Sequence, residues 1–168
     1  MYLHQEFGKT TILRDLIRRI STGIEKLNFK GINVGLVDER GEIAAMYKGI
    51  PQNDIGIRTD VLDNIPKSIG MRMLIRSMAP KVISADEIGS KDDIEPINYA
   101  ICSGIKGIFT AHGASLEEIS INPTLKELLN LHIFERIIFL NDLKEKAEIQ
   151  SVYNLNKKTS EYLVMEWC

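Results

Sequence analysis

Apolar residues recur early in the chain at Ile12, Leu13, Leu16, Ile17, Ile20 and Ile24. Spacings of three and four place them on one face and predict a helix over about Thr10 to Lys26, with Arg14, Arg18 and Arg19 off that face. Beyond it the period changes. Short apolar runs at Ile32 to Val37, Val82 to Ala85, Gly107 to Thr110 and Arg136 to Leu140 are bounded by Gly, Pro or charged residues, as buried parallel strands are. Helical stretches separate most of them, over about Pro66 to Met78, Lys91 to Ser103 and Ser115 to Leu131, and Ser115 followed by Glu118 is a capping-box start. Strands alternating with helices predict an α/β sheet covered on both faces. The pattern shifts again at the end. Glu148 to Tyr153 and Ser160 to Trp167 flank Asn154-Leu155-Asn156-Lys157 as the arms of an antiparallel hairpin would. With no internal repeat and no low-complexity linker, the chain reads as one domain over residues 1–168, with a β extension over residues 141–168.

Composition narrows the class of function. The 168 residues include 21 Lys and Arg against 23 Asp and Glu, a net charge of −2, and 44% are apolar. A chain of this length buries roughly 68–70% of its unfolded surface without staples. The near-neutral balance lacks the basic excess of a protein that gains affinity by neutralising phosphate backbones, so nucleic acid is disfavoured as a partner. Cys102 and Cys168 match no zinc or redox spacing and are expected as free thiols in a reducing cytosol. His4, His112 and His132 are too scattered for a metal cluster. No run approaches about 18 apolar residues and no leader pattern opens the chain, so the expected location is cytoplasmic, without membrane insertion.

Three segments carry candidate chemistry. Gly8-Lys9-Thr10-Thr11 stands directly before the first helix, where free backbone N–H groups and the helix dipole favour a phosphate. As the end of a P-loop, its Lys would reach the β and γ phosphates and its Thr10 hydroxyl would ligate Mg²⁺; the other reading is a glycine turn with an exposed Lys. In the full Gly-x4-Gly-Lys-Thr pattern the first glycine falls on Leu3, and only Met1 and Tyr2 precede it. Residues 1–7 therefore read as a degenerate loop start with the first strand truncated. The second segment, Val82-Ile83-Ser84-Ala85-Asp86-Glu87, is a strand ending in two acids. Asp86 could hold the Mg²⁺ water shell and Glu87 could orient and deprotonate an attacking water, or both could form a plain acidic turn. In the third, His112 follows a strand end at the carboxyl edge, where parallel sheets bind ligands; it could bond a γ-phosphate or the lytic water, or be structural.

Taken with Val37-Asp38-Glu39-Arg40, the run Gly49-Ile50-Pro51-Gln52-Asn53-Asp54-Ile55-Gly56-Ile57-Arg58-Thr59-Asp60-Val61-Leu62-Asp63, Leu74-Ile75-Arg76-Ser77-Met78-Ala79-Pro80 and Asp86-Glu87-Ile88-Gly89, these segments closely resemble the stage III sporulation protein AA family. The likeness runs from Gly8 to about Leu140. It implies a RecA-like P-loop ATPase fold related to the type II and type IV secretion ATPases, a mostly parallel sheet flanked by helices with a small C-terminal β element. It further implies a mother-cell cytoplasmic motor, a homo-oligomer and by resemblance a hexamer, hydrolysing ATP with Mg²⁺ to energise the membrane-channel sporulation proteins between mother cell and forespore. On this resemblance Gly8, Lys9, Thr10 and Thr11 bind ATP, Thr10 and Asp86 hold Mg²⁺, and Glu87 is the general base. Asp38 and Glu39 match the acidic box after the second strand, and His112 the histidine of a Thr-x-His segment. Arg58 and Arg76 look like the arginines used around the γ-phosphate, often across a subunit boundary, where a planar fork that keeps its proton suits two phosphate oxygens. Arg40 and Arg136 read instead as surface ion-pair residues. The family's N-terminal domain is expected to be absent from this chain. Two alternatives remain: a nucleotide-binding pseudo-ATPase scaffold, favoured by Leu3, and a RecA-like DNA motor, disfavoured by charge.

Overall fold

The computed structural model describes residues 8–143 and 146–165. Leu3, the other residues of the expected loop start, Trp167 and Cys168 lie outside them. The described chain forms two compact units, one spanning Thr10–Ala111 and the other beginning at His112.

The first unit holds α1 (Lys9–Thr22, its first residue falling just outside), β1 (Val34–Asp38), a small hairpin of β2 (Met46–Tyr47) and β3 (Ile50–Pro51), β4 (Thr59–Asp63), α2 (Lys67–Met78), β5 (Val82–Ala85), α3 (Ile94–Cys102) and β6 (Lys106–Phe109). Four strands make a parallel sheet in the order β4-β1-β5-β6. All five residues of β1 are buried, as a strand covered on both faces requires. Alternate residues serve opposite faces. Val34 and Leu36 join Leu13 and Ile17 of α1 in one core cluster with Ile43, Ile55 and Val82. Gly35 and Val37 face α2, where a Cβ on Gly70 would come within 2.6 Å of the Val37 Cγ1. That glycine lets the helix lie directly on the strand.

Where the expected elements differ, the cause is local. The first helix stops at Thr22 rather than Lys26 because Gly23, at φ +107, turns the chain into an Ile24–Phe29 bridge. The helix expected over Ser115 to Leu131 is two, α4 (Leu116–Ile119) and α5 (Pro123–Asn130). Pro123 cannot donate into a continuing helix and instead starts a new one, capped by Asn122. The strand at Thr59–Asp63 escaped the apolar pattern because Thr59, Asp60 and Asp63 interrupt it.

The second unit holds α4, α5 and an antiparallel sheet of β7 (Arg136–Leu143), β8 (Lys146–Asn156) and β9 (Glu161–Val164), in the order β7-β8-β9. The run at Arg136 is thus not a parallel strand of the main sheet. It pairs antiparallel with β8, which also forms the expected hairpin with β9. Phe139 and Tyr153 meet edge-on across this sheet, 5.6 Å between ring centres.

Candidate functional site

Register brings the acids together. Val37 pairs with Ala85 and Ala85 with Phe109, so Asp38, which ends β1, and Asp86 and Thr110, which follow β5 and β6, lie at the same, carboxyl-terminal edge of adjacent strands. The start of α1 completes the group: the Thr10 hydroxyl donates to Asp86 Oδ2 at 3.1 Å, from 76 residues away in sequence. The Thr110 hydroxyl donates to the other carboxylate oxygen, Asp86 Oδ1. Glu87 then donates its backbone N–H to Thr110 Oγ1 at 2.8 Å and to Asp86 Oδ1 at 3.0 Å. These bonds hold Glu87 in the left-handed region, at φ +50, a conformation costly for a residue with a Cβ. Its side chain meets Arg40 Nη1 at 2.6 Å.

The two acids of the Asp38-Glu39 pair do different things. Asp38, 2% exposed, accepts backbone N–H bonds from Glu42 at 3.0 Å, Ile43 at 3.2 Å and Ala44 at 2.8 Å. Its carboxylate therefore builds the loop after β1. Arg14 of α1 fixes the same loop from outside, donating to the carbonyls of Ile43 and Glu42 at 2.7 Å each, and Asn53 donates to Ile43 O at 2.8 Å. Glu39 accepts from Lys67, the first residue of α2, at 2.5 Å. Asp38, Glu39, Arg40, Glu42, Lys67, Asp86 and Glu87 line one small groove.

The two remaining arginines are not brought to this group within the chain. Arg58 precedes β4, at the amino-terminal edge of the sheet, and its guanidinium caps the far end of α1 by donating to Ser21 O at 3.0 Å and Thr22 O at 3.3 Å. The 14 residues of α1 put that end about 20 Å from Thr10. Arg76 is exposed in the last turn of α2, which also leads to the amino-terminal edge. Gly8, at φ +117, and Lys9 lead into Thr10, Thr11 is exposed on α1, and His112 opens the second unit. Arg14, Arg40, Lys67 and Thr110 escaped sequence reasoning as site residues. For Thr110 the signal existed, since it ends a strand at the same height as Asp86.

Among the described residues no three His, Cys, Asp or Glu side chains gather as a metal site. The Thr10 hydroxyl and Asp86 carboxylate supply two hard oxygens side by side. That fits Mg²⁺, which keeps several waters and takes its remaining ligands from substrate phosphates. No described helix is long and apolar enough to cross a membrane.

A family model described as "Sporulation stage III, protein AA" matches residues 4–160. The chain is 43% identical over 147 residues to stage III sporulation protein AA of Bacillus subtilis (strain 168), covering 88% of this chain and 47% of that protein. It is 31% identical over 125 residues to the uncharacterized protein ycf45 of Porphyra purpurea, covering 73% of this chain and 21% of that one. The chain thus spans less than half the length of these curated relatives. Among solved structures, the Legionella pneumophila ATPase DotB matches with a TM-score of 0.66 at 14% identity, over 91% of this chain and 44% of that one. The VirB11 ATPase from the Brucella suis type IV secretion system, in complex with sulphate, matches at 0.57 and 16% identity, over 91% and 46%. At such identities the likeness is one of fold, and the fold is RecA-like.

Proposed function

This chain belongs to the stage III sporulation protein AA family, and from that premise we propose that it binds Mg-ATP at the start of α1 and hydrolyses it, as part of a motor that energises a sporulation channel between mother cell and forespore. The observation that carries the reading is the 3.1 Å bond between the Thr10 hydroxyl and the Asp86 carboxylate. It joins a Gly-Lys-Thr helix start to a strand-end acid, the two halves of an Mg-nucleotide site.

In this reading Lys9 pairs with the β and γ phosphates, and the backbone N–H groups opening α1 and Thr11 add to the anion cradle. Thr10 and Asp86 hold Mg²⁺, which when bound neutralises phosphate charge. Glu87 accepts a proton from water as the water oxygen bonds to the γ-phosphorus and the bond to the β-γ bridging oxygen breaks, giving ADP and inorganic phosphate. Thr110 keeps Asp86 and the Glu87 backbone in register, a role its two hydrogen bonds support. His112 is assigned to the γ-phosphate or the water. Arg58 and Arg76, remote from Asp86 within one chain, are assigned to a neighbouring copy's site in a homo-oligomer, a hexamer on the family resemblance. The mother-cell cytoplasm is the location that follows from this role.

Calorimetric titration with Mg-ATP, alongside phosphate release, tests the assignment. Lys9→Ala should lose nucleotide binding. Glu87→Gln should bind ATP at least as tightly while turnover falls about 10²- to 10⁴-fold, the usual worth of a general base. Equal losses of ATP affinity in the two variants would sink these roles, and tight binding without turnover in the unaltered chain would select the scaffold reading.

A further inference from the structure

Arg40 reads from sequence as a surface residue with an ordinary ion pair, yet the structure surrounds it with a rigid support. The buried Asp38 carboxylate gathers three successive N–H groups of the loop that follows Arg40, and Gly41 donates to Asp38 O at 3.2 Å. Arg14 and Asn53 hold the carbonyls of the same loop. From this support an otherwise exposed guanidinium reaches across the groove to Glu87, with 61% of the Arg40 side chain accessible against 29% of the Glu87 side chain. Glu87 in turn has a backbone fixed by Thr110 and Asp86. Two hydrogen-bonded mounts thus hold a solvent-facing ion pair at the groove that Asp86 also lines.

We propose that Arg40 is a positioning residue that exchanges partners, holding the Glu87 carboxylate while no γ-phosphate is present and moving to the γ-phosphate when ATP binds. This rests on the reading of Glu87 as the base. The guanidinium occupies the carboxylate that would otherwise turn to water, so the contact seen here is the resting arrangement. The guanidinium fork suits either partner, because carboxylate and phosphate both present two coplanar-accessible oxygens. An exposed pair is weakly held, and a phosphate carrying more charge outcompetes it. Arg40 thereby reports the γ-phosphate to the group that acts on water, so that ADP leaves the Arg40–Glu87 contact in place and ATP removes it. No covalent change occurs in the exchange.

The test is a double-mutant cycle on Arg40→Ala and Glu87→Gln, with ATPγS and ADP titrated separately in Mg²⁺ and a thermal melt on each protein to verify folding. Arg40→Ala should weaken ATPγS about tenfold, the size of one lost charge-assisted bond, while ADP affinity stays within about twofold. Arg40→Lys, which keeps the charge without the fork, should recover part of the difference. Glu87→Gln should tighten ATPγS by removing the competing charge, and that gain should vanish in the double variant. Equal effects of Arg40→Ala on both nucleotides, or a Glu87→Gln gain that persists without Arg40, overturns the exchange while leaving the ATPase reading intact. If the unaltered chain binds neither nucleotide, both readings fall together.

Discussion

Replacing Asp38 by Ala should be among the most damaging single changes to the first unit, and the structure supplies the size of the loss. Three N–H donors lose their acceptor: Glu42, Ile43 and Ala44. Glu42 lies at an exposed position and can turn to water, but Ile43 and Ala44 are 0% exposed. Each buried donor left without a partner costs about 1–3 kcal/mol, so the pair costs about 2–6 kcal/mol. Against a typical stability of about 5–15 kcal/mol this is a large share. Asp38→Asn retains one acceptor oxygen but turns an NH₂ toward the remaining donor, and should recover about half. Urea unfolding followed by far-ultraviolet circular dichroism measures both, compared at equal m. Glu42→Ala serves as the control, expected within about 0.5 kcal/mol as surface changes usually are. A loss below about 1 kcal/mol for Asp38→Ala would show that the carboxylate is a solvent-facing acid and not the support of its loop.

Three other outcomes are expected. Gly70→Ala should destabilise by about 1–3 kcal/mol despite the better helix propensity of Ala, because its Cβ would stand 2.6 Å from Val37 Cγ1, and combining it with Val37→Ala should cost less than the two changes added, as read from melts of all three proteins. Desolvation by burial holds the Tyr162 phenol above its usual range. The folded state therefore keeps that proton more tightly, so stability is full below about pH 10, falls as pH rises above it, and loses this fall in Tyr162→Phe, which equilibrium unfolding across pH 9 to 11 checks. Mixing Arg76→Ala with Glu87→Gln, each inactive alone, should restore some turnover if a neighbour supplies the arginine; flat activity on mixing, with the same result for Arg58→Ala, removes both arginines from the shared site.

The parts of the fold legible in the sequence are those where local pattern and final environment coincide. Val82 to Ala85 is apolar but for Ser84 and buried along its length, so its run marked a covered strand, and Leu13 and Ile17 occupy the face that the helical spacing predicted. Thr59–Asp63 was illegible because its place in the sheet comes from pairing with β1, a long-range contact that no window of five residues contains. The site divides in the same way. Gly8 to Thr11 and Asp86-Glu87 announced themselves as short motifs, whereas Thr110, Arg14 and Arg40 acquire meaning only from register across strands and from a loop folded around Asp38. Arg58 shows the converse: a resemblance pointed to the γ-phosphate, while within one chain its guanidinium closes the carbonyl end of α1.

The left-handed backbone of Glu87 bears on any effort to harden this protein by directed evolution. Glycine occupies that conformation without steric penalty and asparagine with little, so substituting the acid there should be neutral or favourable to the melting temperature, the reverse of what deleting a hydrogen-bonded residue usually does. A library ranked on heat resistance alone will enrich variants that keep the sheet and discard the carboxylate. Thermal endurance and the presence of this acid are opposed objectives at position 87, and a screen must read both to retain them together.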